Sequence, residues 1–283
     1  MRILSNKRCL VGEGPIWNPF DKKLYHVNGF GQNEICIIDI YTKECKVRKL
    51  DFDVVAMGFS KSGEMLISCR DGAFILNGDG TRKPLYNRDV FEITYGNDAK
   101  VGPDGRFYIG TQSRKRMDVG TEVDGKIYSI DKNGNVKVLL DRLLLSNGFE
   151  WSIDEKKFYH TDSDTGILKE YDFDKQSGEI HFTGRSVEVS CLDGMTVDQN
   201  NTLYVACWGR GHIAVVDTMD MKIRDYIEVP AKIPASCGFA GKDMEQLVIV
   251  TASLWTDLEI DVNAGFTYSC DLGVKGRKPY LFG

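Results

Sequence analysis

Apolar positions in this chain come in short β-prone runs broken by small polar turns, and one arrangement recurs. An apolar anchor precedes a turn rich in Asp, Asn, Gly or Ser, and a second β-prone run follows. The copies begin Trp17-Asn-Pro-Phe-Asp-Lys-Lys-Leu-Tyr-His26, Phe59-Ser-Lys-Ser-Gly-Glu-Met-Leu-Ile67 and Val101-Gly-Pro-Asp-Gly-Arg-Phe-Tyr-Ile109. Three more start at Trp151, Val197 and Phe239, so the anchors recur every 42 to 50 residues. Each copy predicts strand, tight turn, strand, usually with a further hairpin such as Gly125 to Val138. Four strands per unit at this period, repeated six times, predict an all-β, six-bladed β-propeller occupying residues 1–283 as a single domain. Met1 to Val11 precede the first anchor and are expected to supply the outer strand of the last blade, closing the ring without an exposed edge. A two-sheet sandwich is the alternative, and it leaves the constant period unexplained.

The repeat frame gives four polar residues a common address. Four positions before each anchor stand Glu13, Val55, Asn97, Asn147, Asp193 and Ala235. In a propeller these positions open the innermost strands and face the central channel. Two carboxylates and two amides there suit a hard divalent cation, with the carboxylate charge balancing the metal. Ca, Mg, Mn and Zn are all compatible, with Ca or Zn favoured. Gly follows three of the four (Gly14, Gly148 and Gly194), which lets backbone or ligand approach closely. The competing reading is that these side chains cap hairpin ends at the channel mouth.

Composition narrows the partners. A net charge of −5 and no long basic block argue against nucleic acid and anionic membranes. No signal-peptide core or membrane-spanning run is present, so the expectation is a cytoplasmic protein. The eight Cys include no C-x-x-C pair and several fall within apolar runs, which predicts free thiols. His26, His160, His181 and His212 lie outside the channel frame and are read as structural. The Asp-rich stretches at 162–166 and 172–178 lack the Glu and flanking helices of calcium loops and read as turns. Nucleotide-binding and serine-nucleophile motifs are missing from the sequence.

The segments Glu13-Gly-Pro-Ile-Trp17, Asn97-Asp-Ala-Lys-Val-Gly-Pro-Asp-Gly-Arg-Phe-Tyr-Ile-Gly-Thr111, Ser146-Asn-Gly-Phe-Glu-Trp151 and Asp193-Gly-Met195 resemble the regucalcin (senescence marker protein), gluconolactonase and luciferin-regenerating enzyme family. The likeness spans nearly the whole chain. It implies a six-bladed propeller with one divalent metal held by a Glu, two Asn and an Asp, which fall on Glu13, Asn97, Asn147 and Asp193. It further implies hydrolysis of a small-molecule sugar-acid lactone, with Asp193 as the catalytic base. One departure concerns substrate. Where many relatives carry Arg two residues before the metal-binding Asn, this chain has Tyr95, and Lys115 aligns with a substrate-contacting Glu of animal relatives. Tyr95, Lys115 and Asn97 are therefore the expected substrate contacts. The positive run Arg114, Lys115, Arg116 favours a lactone bearing an extra acidic group, unless the loop is merely solvated.

Two other functions keep the site or the fold. A phosphotriester or fluorophosphate hydrolase would use the same cation on a phosphoryl oxygen. A calcium-binding scaffold without catalysis would need the ion only for stability. Trp208-Gly-Arg-Gly211 is a further candidate for the channel mouth, and oligomeric state is not legible.

Overall fold

The structure is a computed structural model that describes residues 1–115 and 123–283. It is all-β: among the described residues the one helical element is a 3-10 turn at Ser163–Thr165. Six antiparallel sheets of four strands each form the blades of a propeller. The innermost strands are Gly12–Asn18, Ala56–Phe59, Gly96–Val101, Ser146–Trp151, Leu192–Val197 and Pro234–Ala240, for blades 1 to 6 in turn. Each touches the inner strand of the next blade, and the sixth touches the first, so the ring is closed.

The six anchors occupy one register. Trp17, Phe59, Val101, Trp151, Val197 and Phe239 pair with Leu24, Met65, Phe107, Phe158, Leu203 and Leu247 respectively, at the start of each second strand. All six anchors are buried, because each fills the wedge between adjacent blades. Trp151, for example, packs edge-on against Tyr108 of blade 3 at 4.9 Å between ring centroids. The apolar period therefore builds the inter-blade core.

The last blade takes its outer strand from the beginning of the sequence. Arg2–Ser5 pairs antiparallel with Thr267–Asp271, which pairs with the second strand of blade 6. At the turn-bearing end of the inner strands, residues 276–283 cross several blades. Gly276 bridges Asp198, Phe282 bridges Ser60, and the N–H of Gly283 donates to the carbonyl of Gly105. Arg277 forms an ion pair with buried Glu150 at the same end. The opposite end of the channel, where the inner strands begin, is left for a cavity.

All eight cysteines are free thiols, five of them buried. No helix among the described residues is long and apolar enough to cross a membrane.

Candidate metal centre

Five of the six inner strands carry a break in pairing register near their start. The shifts fall between Glu13 and Ile16, Gly96 and Asp98, Asn147 and Phe149, Leu192 and Met195, and Pro234 and Ser236. Such a bulge adds an unpaired residue and re-aims the side chains around it. Four of these bulges coincide with Glu13, Asn97, Asn147 and Asp193. All four side chains line one cavity of about 350 Å³ at the mouth of the channel.

Close backbone packing holds these strands together. A Cβ at Gly148 would collide with the carbonyl oxygen of Asp193, and one at Gly194 would collide with the Ser236 side chain. The glycines after Asn147 and Asp193 are thus required by the approach of the next blade.

The donor set can be read from its hydrogen bonds. Asn97 Nδ2 donates to the carbonyl of Ser146 at 3.0 Å, and Asn147 Nδ2 donates to Ser163 Oγ at 3.0 Å. With both nitrogens committed, each amide has its oxygen left to accept or ligate. Asp193 is 4% exposed, and its Oδ1 has no hydrogen-bond partner among the described residues. Burial pushes the Glu13 carboxyl well above the ordinary carboxylate range, and the charges of Asp193 and Asp98 add to it. Burial does the same to Asp193, again reinforced by Asp98 and opposed by hydrogen bonds from Gly194 and Asn147. Buried carboxylates that repel one another, an orphaned carboxylate oxygen and two free amide oxygens are the environment a hard cation relieves. The residues present fit a divalent metal.

Asp98 is absent from the sequence reading. Strand alternation puts consecutive residues on opposite faces, so Asn97 at the channel assigns Asp98 away from it. The bulge breaks that rule, and Asp98 lines a second, smaller cavity deeper along the channel. Its carboxyl is raised by burial, with Lys100 pulling the other way. Below it, Lys100 Nζ contacts Glu150 at 2.9 Å and the carbonyl of Met195 at 2.9 Å. Although burial opposes it, Arg277 and Lys100 hold the Glu150 carboxyl below its ordinary value. The successive polar pair Asn97-Asp98 at a strand start was the available signal.

The expected substrate contacts divide. Asn97 lines the cavity, whereas Tyr95 and Lys115 are not among its lining residues. Tyr95 has a φ of 59°, and its ring lies under the Arg114 guanidinium at 5.2 Å. Lys115 is exposed, and Arg116 falls outside the described residues. Arg70 of blade 2 lines the cavity, and its carbonyl accepts the Tyr95 N–H at 2.5 Å. Asp53 holds the Arg70 guanidinium at 2.8 Å. Trp208 does line the mouth, together with Phe30 and Trp255, whose rings meet edge-on at 6.3 Å. His160 is buried against Ser146, outside the cavity lining.

Residues 11–253 match the SMP-30/gluconolactonase/LRE-like region family model. The chain belongs to this family. Among its relatives, YvrE of Bacillus subtilis carries a provisional assignment as a sugar lactone lactonase and is 31% identical, over 98% of this chain and 97% of its own. Regucalcin of Danio rerio is 30% identical, over 96% of this chain and 94% of its own. Among solved structures, a calcium-binding regucalcin from Agrobacterium tumefaciens superposes with a TM-score of 0.87 at 25% identity, covering 100% of this chain and 97% of the other. The Agrobacterium protein therefore shares the propeller seen here over the full length of the chain.

Proposed function

We propose that the protein is a divalent-metal-dependent hydrolase that opens a lactone ring to the free hydroxy acid, with Glu13, Asn97, Asn147 and Asp193 holding the metal and Asp193 acting as base. The observation that carries this reading is the buried, unpartnered Oδ1 of Asp193 beside Glu13, Asn97 and Asn147. YvrE's assignment supports the substrate class, and the description of the Agrobacterium protein as calcium-binding supports an oxygen-ligated ion, with calcium the favoured one.

When bound, the cation supplies Lewis acidity to the lactone carbonyl and keeps the neighbouring carboxylates ionised. Asp193 takes a proton from a water that adds to the carbonyl carbon, then returns it to the ring oxygen as the C–O bond breaks. Ser146 and Ser163 fix the orientation of the two amides. Phe30, Trp208 and Trp255 present flat apolar faces to the substrate, and Arg70 offers a charged fork to its polar groups.

The test is a panel of lactones and organophosphates, assayed by acid release after chelation and after adding back Ca, Mg, Mn or Zn. Metal should restore lactone hydrolysis, and Asp193→Asn should lower kcat by about 100-fold to 10,000-fold with a smaller change in KM. Wild-type rates in excess chelator, or in Asp193→Asn, would overturn the assignment. Turnover of the organophosphates alone would select the phosphotriesterase reading.

A further inference from the structure

A second set of donors, of opposite chemical character, meets where the ring closes. Cys9 follows the strand Arg2–Ser5, His26 lies on the second strand of blade 1 (Lys23–Asn28) and Cys36 on the third (Glu34–Ile38). The two sulfurs and an imidazole nitrogen all lie within 4.8 Å of one another, and each residue is at most 1% exposed. A third thiol, Cys45 on the outer strand of the same blade, stands opposite Ile38 and so diagonally across from Cys36 on the same face. We propose that Cys9, His26 and Cys36 form a thiolate–imidazole site for one zinc ion, with Cys45 as fourth ligand, which pins the segment after the first strand to blade 1.

Three observations support the assignment. First, Cys9 and Cys36 come from separate stretches of chain and converge on one histidine. Cys69 and Cys207, by contrast, pack inside apolar clusters. Second, the tautomer of the imidazole is the one a ligand requires. His26 Nδ1 is 3.1 Å from the carbonyl of Val27, and since a carbonyl only accepts, Nδ1 carries the proton and Nε2 holds the lone pair. Metal-bound histidines commonly donate their second ring N–H to such a carbonyl. Thr267 Oγ1, 3.2 Å from Nε2, occupies that lone pair in the metal-free arrangement. Third, the donor types discriminate. Thiolate and imidazole select zinc over calcium or magnesium, so this site and the oxygen-lined cavity would not compete for one ion.

Binding is balanced as Zn²⁺ replacing the thiol protons, which leave to solvent. Two thiolates neutralise the ion, and Cys45 would complete the closed, four-coordinate shell of a structural zinc site. Tetrahedral zinc–sulfur and zinc–nitrogen bonds put ligand atoms roughly 3.5 Å apart, so the trio need contract by only about 1 Å. Because Cys9 N–H donates to Gly265 and Cys9 O accepts from Ser253, the same segment is already tied to blade 6. To blade 1 it is tied by Lys7 Nζ to Glu34 at 2.9 Å and by the Leu10 N–H to Asn28 Oδ1 at 2.8 Å, and the ion would add a buried cross-link to these.

The experiment is a Co²⁺ titration of the full chain, stripped under reductant, in excess Ca²⁺. One equivalent of Co²⁺ should give a thiolate-to-cobalt charge-transfer absorption, abolished by one equivalent of Zn²⁺. Cys9→Ser and Cys36→Ser should lose it, together with the rise in melting temperature that follows the logarithm of zinc concentration in wild type. Lactone hydrolysis in Ca²⁺ should persist in Cys9→Ser, and the cobalt band should persist in Glu13→Gln, so failure of either site is read separately. No band in wild type overturns the proposal, as does a band surviving both serine substitutions. If the variants do not fold, the wild-type titration decides: displacement by Zn²⁺ but not Ca²⁺ supports the site, and its absence removes it.

Discussion

Asn97 Nδ2 donates to the main-chain carbonyl of Ser146, 3.0 Å away on the next blade. One blade's candidate ligand is thereby oriented by the backbone of another. Asn97→Asp adds negative charge yet deletes the donor and sets two acceptors against each other. It should lower turnover and destabilise the fold by about 1–3 kcal/mol. Measuring kcat and melting temperature together checks this. Wild-type values for both would show that the amide is not oriented by Ser146.

Asp193 should trade stability for function. In the metal-free protein it is a buried carboxylate repelled by Asp98, with one oxygen unpartnered. Asp193→Asn should therefore lose activity while raising stability in excess chelator by about 1 kcal/mol. Urea unfolding of both proteins without metal is the measurement, and a less stable variant would contradict the argument.

Arg70, rather than Lys115, should govern a preference for acidic lactones. Only Arg70 lines the cavity, and Asp53 keeps its guanidinium in place. The kcat/KM ratio for acidic over neutral lactones should fall at least about tenfold in Arg70→Ala, the worth of one charge-assisted bond, and barely move in Lys115→Ala. Equal ratios in wild type and Arg70→Ala would leave the guanidinium without a substrate role.

Burial pushes the His160 imidazole down to about 3, and the charge of Lys169 adds to this. An unfolded chain binds a proton near the ordinary value of about 6.5, which the folded protein resists until about pH 3. Stability is thus full above the higher value and falls as pH drops through that window, by about 1.4 kcal/mol per unit. Between about pH 7 and about pH 5.5, wild type should lose about 1 kcal/mol more than His160→Gln in denaturant titrations. Parallel curves would show that His160 does not titrate on unfolding.

Gly148→Ala should be costly without touching any ligand. Its Cβ would strike the carbonyl of Asp193. A loss of about 1–3 kcal/mol is expected, with reduced activity from the displaced strand. Retained activity at unchanged melting temperature would mean that the two strands can separate freely.

The blades and their anchors were legible because apolar period and turn chemistry act locally, and all six anchors fall in one pairing register. The addresses of Glu13, Asn97, Asn147 and Asp193 were legible for the same reason: a frame carried through six repeats needs no knowledge of contacts. Asp98, Arg70 and the Cys9–His26–Cys36 trio were not. Asp98 depends on a bulge, a register defect that alternation cannot express. Arg70 reaches the cavity from a blade with no candidate ligand, beside Tyr95, so the repeat frame does not mark it. The trio depends on the return of the first residues to the last blade.

That return also sets an order of events. Arg2–Ser5 is made before every other blade strand, whereas its partner strand Thr267–Asp271 comes after all of them. Five blades can form as each hairpin emerges, but the sixth must wait while its future edge strand stays unpaired at the far end of a nascent chain. A ring left open at that point would present unpaired strand edges, the kind of surface on which a chaperone or a second unfinished chain binds.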